Sequence, residues 1–217
     1  MDEVTREFKE KYDRLAAENT LSWKRCGYRT EDAQWHKFSV VRTLVIREPL
    51  KDGDRLLDAG CGDGMFINEW MCDIGIPMVG VDVSPAMIAI ANAMRNPKRD
   101  VRFEVGSIQD MQYESEFTKV VCIGVLQCIR DLDGAIQACT RALKQGGELI
   151  LVTLDIRSVD PSKKPDWYML YDRHPNELRA SLERAGLKEV MQFGIDPEKG
   201  TLVHRVTRDI VMVAKKV

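Results

Sequence analysis

A chain of 217 residues, 44% hydrophobic and 30% charged, holds enough apolar material for one large globular domain or for one domain with a small appendage. Its 32 Lys and Arg against 34 Asp and Glu give a net charge of −2, so the whole chain carries no basic footprint for nucleic acid. No apolar run reaches the roughly 18 residues that a membrane span needs. The charged start MDEVTREFKEKYDR is unlike a signal peptide, and the cysteines (Cys26, Cys61, Cys72, Cys122, Cys128, Cys139) form no C-x-x-C pair or metal spacing. Reduced thiols and a cytoplasmic protein, monomer or homodimer, are therefore expected.

In chain order, Val4, Phe8, Tyr12 and Leu15 repeat at helical spacing and predict a helix over 3–18. A loop with Trp23 and Gly27 follows. Thr30 is placed to cap a second helix, with Phe38, Val41 and Val45 on its core face and Pro49 ending it. Strand and helix patterns then alternate: strand 54–59, helix 64–74, strand 77–83, a helix opened by Ser84-Pro85 that buries Met87, Ile88, Ala91 and Met94, strand 101–105, strand 118–124, helix 132–144 and strand 148–154. A long connection, 155–173, carries Trp167, Tyr168 and Tyr171. Pro175 opens a helix ended by Gly186, and strands 187–194 and 205–214 close the chain. This alternation implies an α/β fold with a parallel sheet covered by helices on both faces.

The stretch Leu56–Gly64, LLDAGCGDG, joins the first strand to its helix through Asp58 and three alternate glycines, Gly60, Gly62 and Gly64. Strand, glycine loop and helix make a ligand site at the carboxyl end of a parallel strand. A dinucleotide fingerprint would need G-x-G-x-x-G, and Met65 stands where its last glycine belongs. A pyrophosphate also sits badly beside Asp58 and Asp63, whereas a cation sits well. S-adenosylmethionine, with a sulfonium and an ammonium and no phosphate, meets that requirement, and Asp82 at the end of the next strand is placed to take both ribose hydroxyls.

The D-x-G-x-G-x-G loop, Asp82 and the later LKQGGELILVT segment, in this order, resemble the class I, Rossmann-like, S-adenosylmethionine-dependent methyltransferases over roughly residues 54 to 155. The resemblance implies a doubly wound, mostly parallel seven-stranded sheet with an antiparallel C-terminal strand. It also implies a helical cap over 1–50 and a methyltransferase domain over 51–217 with a lid at 155–173. It assigns Asp58, Gly60, Cys61, Gly62 and Gly64 to the methionyl end of the cofactor S-adenosyl-L-methionine and Asp82 to the ribose. Val83, Met87, Ser107 and the Ile108 amide fall to the adenine, Ile123 to the ammonium, and Tyr12, in a Tyr12-Asp13 start, covers the cofactor.

Two strand ends depart from the family pattern. Ser107 stands where many relatives carry an Asp, and Leu126-Gln127-Cys128 replaces Leu-Glu-His. His36, beside Trp35 on the second cap helix, is the candidate general base, in competition with a purely structural histidine. His174 reads as a helix cap and His204 as a surface residue. The aromatics Tyr12, Trp23, Trp35, Trp167, Tyr168 and Tyr171 are candidates for walling an acceptor pocket. The expected activity is methyl transfer to a small-molecule acceptor, O- or N-methylation, with no nucleic acid, membrane or metal involved. A non-catalytic cofactor-binding subunit, or a methyltransferase acting on protein or RNA, is the competing reading.

Overall fold

The computed structural model describes residues 3–154, 171, 173–196, 198–204 and 207–217. Its centre is a sheet of eight strands among the described residues: β1 (Leu56–Ala59), β2 (Met78–Asp82), β3 (Val101–Val105), β4 (Phe117–Ile123), β5 (Leu143–Leu154), β6 (Leu187–Ile195), β7 (Leu202–Val203) and β8 (Asp209–Lys216). Their order is β3-β2-β1-β4-β5-β8-β6-β7. The first five are parallel, while β8 runs antiparallel to β5 and β6, and β7 antiparallel to β6. The sequence predicts seven strands. The eighth is β7, two residues long and too short for a period-two signal. The last long strand begins at Asp209 and runs to Lys216, later than the predicted 205–214, because its pairing with β5 starts at Leu154 opposite Asp209.

The helices are α1 (Glu3–Glu18), α2 (Ser22–Arg25), α3 (Glu31–Val45), α4 (Pro85–Met94), α5 (Leu132–Ala142) and α6 (Pro175–Arg184). Thr30 caps α3 by accepting from the Ala33 amide at 3.2 Å, and His174 caps α6 through Nδ1, which accepts from the Asn176 amide at 3.1 Å. One sheet face is covered by α5 and α6, with Ile136, Leu178 and Leu182 against Leu57, Val120 and Met212. The other face is covered by α3, α4 and residues 66–71, with Phe38, Val41, Phe66 and Ile88 against Leu56, Val121 and Ile150. Burial on both faces explains the continuous apolar runs of β4 and β5. Each fully buried large side chain contributes about 1.5–3 kcal/mol.

Four local expectations are corrected. The helix predicted over 64–74 is a π-helical turn, Phe66–Trp70, in which the Met71 amide reaches back to the Phe66 carbonyl at 3.0 Å. Arg99 takes the carbonyls of Ile67 at 3.0 Å and Met71 at 2.7 Å, and Arg42 takes that of Trp70, so the freed carbonyls are satisfied without another helical turn. The loop predicted after α1 contains the short helix α2. Met94, expected to be buried, is 36% exposed at the last turn of α4. β5 begins at Leu143, because Leu143 pairs with Phe117 before an irregularity that precedes Lys119, and α5 ends correspondingly at Ala142. The predicted lid, with Trp167 and Tyr168, lies outside the described residues except for Tyr171 and Arg173.

Candidate active site

The sheet order reverses at β1, whose neighbours are β2 and β4, and ligands of open α/β sheets bind at such a reversal beyond the strand ends. The turns after β1, β2, β3 and β4 meet there around a cavity of about 930 Å³, its open mouth included. Eleven of the residues that the resemblance assigned to the cofactor line it, Tyr12, Asp58, Gly60, Cys61, Gly62, Asp82, Val83, Met87, Ser107, Ile108 and Ile123, whereas Gly64, assigned to the methionyl end with them, does not.

The glycine loop is held by packing. Gly60 has φ +88°, and a Cβ there would lie 2.3 Å from Cγ2 of Val125, in the turn after β4. Gly64, at φ +75°, would bring a Cβ within 2.7 Å of the Ala91 Cβ, so its smallness lets α4 approach the loop. Gly64 therefore supports the loop from behind and does not line the cavity.

The loop's two acids have different surroundings. Asp63 is fully buried and accepts from Arg25 Nε at 3.0 Å, Arg25 Nη2 at 2.8 Å and Ser22 Oγ at 3.1 Å. It anchors α2 and is already neutralised, which corrects its reading as a free charge facing the ligand. Asp58 is 2% exposed, lines the cavity, and its Oδ1 has no hydrogen-bond partner. Burial, followed by repulsion from Asp82, pushes its pKa up to about 8. A buried acid without a partner at a cavity wall suits a cationic ligand group.

Asp82 is fixed by the backbone. Its Oδ2 accepts from the Gly62 amide and its Oδ1 from the Ser84 amide, both at 2.9 Å, and each oxygen keeps capacity for a further donor. Burial raises its pKa despite these bonds. Ser84 Oγ caps α4 by accepting from the Met87 amide at 3.1 Å, and it donates to Asp13 of α1 at 2.5 Å. Thus α1 is tied to the turn after β2, and α2 to the turn after β1.

The cap closes the cavity with Thr5, Phe8 and Tyr12 from α1, Cys26 and Tyr28 after α2, and Phe38 from α3. Tyr12 Oη lies 3.9 Å from Cys128 Sγ, and that thiol and burial together push the phenol pKa well up. Burial does the same for Tyr28, and lifts Cys128 to about 11. Both phenols therefore stay protonated near neutral pH. Phe8, Cys26, Tyr28, Phe38, Phe66 and Cys128 were not assigned to the site from the sequence. Phe8, Phe38 and Phe66 sit at helical spacing and are indistinguishable from core, Cys26 and Cys128 carry no motif, and Tyr28, an aromatic in a loop, is the one that could have been singled out.

The structure does not bring His36 to this cavity. Its ring packs against Gly200 in the turn between β6 and β7, where an added Cβ would lie 2.5 Å from Cδ2. Trp35 is 53% exposed and meets Trp70 edge-on at 5.3 Å, and neither it nor Trp23 lines the cavity. Gln127 is a structural bridge: Nε2 donates to the Gly124 carbonyl at 2.7 Å, and Oε1 accepts from Thr153 Oγ1 at 2.8 Å. His204 is exposed beside Phe193. No helix among the described residues is long and apolar enough to cross a membrane, and these residues hold no cluster suited to a metal ion.

Residues 50–192 match the family model described as a methyltransferase domain. The chain belongs to that family, the class I S-adenosylmethionine-dependent methyltransferases. It is 34% identical over 124 residues to the ubiquinone biosynthesis O-methyltransferase of Xanthomonas oryzae pv. oryzae, spanning 55% of this chain and about half, 52%, of that protein. Among solved structures, geranyl diphosphate C-methyltransferase from Streptomyces coelicolor A3(2) superposes with a TM-score of 0.69 at 16% identity, covering 100% of this chain and 99% of that one. A chain from the complex between the Haloferax volcanii Trm112 methyltransferase activator and a methyltransferase gives 0.73 at 20% identity, covering 96% of each. At these identities the two structures establish the shared fold.

Proposed function

We propose that the chain transfers a methyl group to a hydroxyl of a small, largely apolar aromatic acceptor. When bound, S-adenosyl-L-methionine supplies a methyl carbon activated by a sulfonium; the acceptor oxygen would take that methyl as its bond to sulfur breaks, with S-adenosylhomocysteine leaving and the hydroxyl proton passing to solvent at the cavity mouth. In this reading Asp58 and the carbonyl end of β4 at Ile123 receive the cofactor's ammonium, and Gly60, Cys61 and Gly62 line its methionyl part. Asp82 accepts from the ribose hydroxyls. Val83, Met87, Ser107 and Ile108 enclose the adenine, and Tyr12 covers the cofactor from α1.

The observation that carries the acceptor class is an apolar and aromatic wall, Phe8, Tyr12, Tyr28 and Phe38 from the cap and Phe66 from the turn after the glycine loop, on the same cavity as the two carboxylates. The O-methyltransferase relative supports transfer to oxygen. With an activated donor, the chain's task is to hold donor and acceptor in line, where effective molarities reach about 10⁵–10⁸ M. The protonated Tyr12 and Tyr28 hydroxyls can orient an acceptor oxygen, and the wall excludes water from the sulfonium. His36 is assigned no part in this chemistry. The test is production of S-adenosylhomocysteine from S-adenosylmethionine with an alkyl-substituted catechol, an aromatic amine, an unfolded protein and a bulk RNA as separate acceptors. Turnover with the catechol is expected. Turnover with only the protein or the RNA would contradict the proposal.

A further inference from the structure

The cavity wall after β4 is a short 3₁₀ turn, Leu126–Cys128, in which the Leu126 carbonyl accepts only a long bond of 3.4 Å from the Ile129 amide, so this carbonyl and those that follow it gain from outside donors. Arg173 supplies them. It is 4% exposed; its Nε donates to the Leu126 carbonyl at 3.2 Å and its Nη2 to the Ile129 carbonyl, so its fork brackets Gln127 and Cys128. Two residues earlier, the Tyr171 amide donates to the Gln127 carbonyl at 2.7 Å, and the guanidinium stands 5.4 Å from the Tyr171 ring centroid. Glu177 of α6 pairs with the remaining arm at 3.2 Å. From the other side, the Gln127 side chain ties the same turn to Gly124 and Thr153. The turn that carries Gly124, Val125, Cys128 and Ile129 into the cavity is thus held by Tyr171 and Arg173, just ahead of α6.

We propose that Arg173 is a positioning residue that clamps the cavity wall at 124–129 onto the chain at Tyr171, keeping that wall in the shape that binds cofactor. The cofactor part rests on the reading given above, while the clamp itself is a property of the ligand-free chain. A buried fork that serves two carbonyls is specific to arginine, and lysine can serve only one of them. Losing charge-assisted bonds to the turn raises the population of its released form by about tenfold or more.

Cys128 reports on this release, because it lines the cavity and is partly exposed, whereas Cys122 and Cys139 are buried in the core. The experiment is site-resolved N-ethylmaleimide labelling of the full chain, read by mass spectrometry, for wild type, Arg173→Gln and Arg173→Lys, with and without S-adenosylhomocysteine. Without ligand, Cys128 in Arg173→Gln is expected to label about tenfold faster than in wild type, with Arg173→Lys in between and Cys122 and Cys139 unchanged. An unchanged Cys128 rate overturns the clamp, as does a parallel rise at all three cysteines, which would mark general destabilisation. With ligand, the S-adenosylhomocysteine concentration that halves Cys128 labelling rises in Arg173→Gln, because only the clamped form is competent. Absence of protection in wild type would overturn the cofactor reading and leave the ligand-free rates to judge the clamp.

Discussion

Asp58 and Asp63, five residues apart on one loop, show how burial alone does not define a charge. Asp63 is closed off by Arg25 and Ser22, while Asp58 is left with a bare oxygen and a pKa pushed up to about 8. A raised carboxyl pKa makes a contribution to stability that is fully present below the unfolded value of 3.8 and is lost as pH rises through the folded value of about 8. Thermal unfolding of the ligand-free chain from about pH 5 to about pH 9 should therefore show wild type losing stability relative to Asp58→Asn, since the amide has no charge to desolvate. Calorimetry should show the same variant binding S-adenosylmethionine more weakly, by about 1.5–3 kcal/mol, the scale of a hydrogen bond to a charged group. Parallel pH profiles would refute the buried acid, and unchanged affinity would refute its role toward the ammonium. His36 makes the opposite case. With its ring against Gly200, His36→Ala should lower turnover by less than about threefold, and a loss of about 10²-fold or more would restore it as a base.

At the scale of elements, the cap is fastened to the cofactor loops by side chains far away in sequence. Arg25 reaches Asp63 across 38 positions, and Asp13 reaches Ser84 across 71. Removing one member of a buried pair leaves the other uncompensated, at a cost of about 3–5 kcal/mol. Arg25→Met should therefore destabilise strongly in urea unfolding, and adding Asp63→Asn should recover most of that loss. Simple additivity of the two changes would show that the pair is not coupled. Such pairs explain what the sequence concealed. The periodicity of α1 and α3, the Thr30 cap and the Ser84-Pro85 start were legible because their signals are local. The segment with Trp23 and Gly27 carries too few residues for a helical period, so α2 went unseen. The turn Phe66–Trp70 keeps its apolar residues at near-helical spacing, and only Arg99 and Arg42, distant donors to its carbonyls, account for its form.

For the whole molecule, the strand alternation and the glycine loop were enough to specify a doubly wound sheet and the side of it that binds a ligand. Turns at the carboxyl ends of parallel strands must converge where the order reverses, so residues as distant as Asp58, Asp82, Ser107 and Ile123 could be assigned to one place. The apolar wall of the cavity was less legible, because Phe8, Phe38 and Phe66 follow the same periodicity whether they face a core or a cavity. We read this convergence as built for a cationic, phosphate-free cofactor, with Asp58 and Asp82 on its wall. Isothermal titration of the ligand-free chain with S-adenosylmethionine, alongside NAD, tests it most directly. Saturable binding of S-adenosylmethionine at one site per chain and no heat with NAD are expected. Saturable binding of NAD with none of S-adenosylmethionine would contradict it.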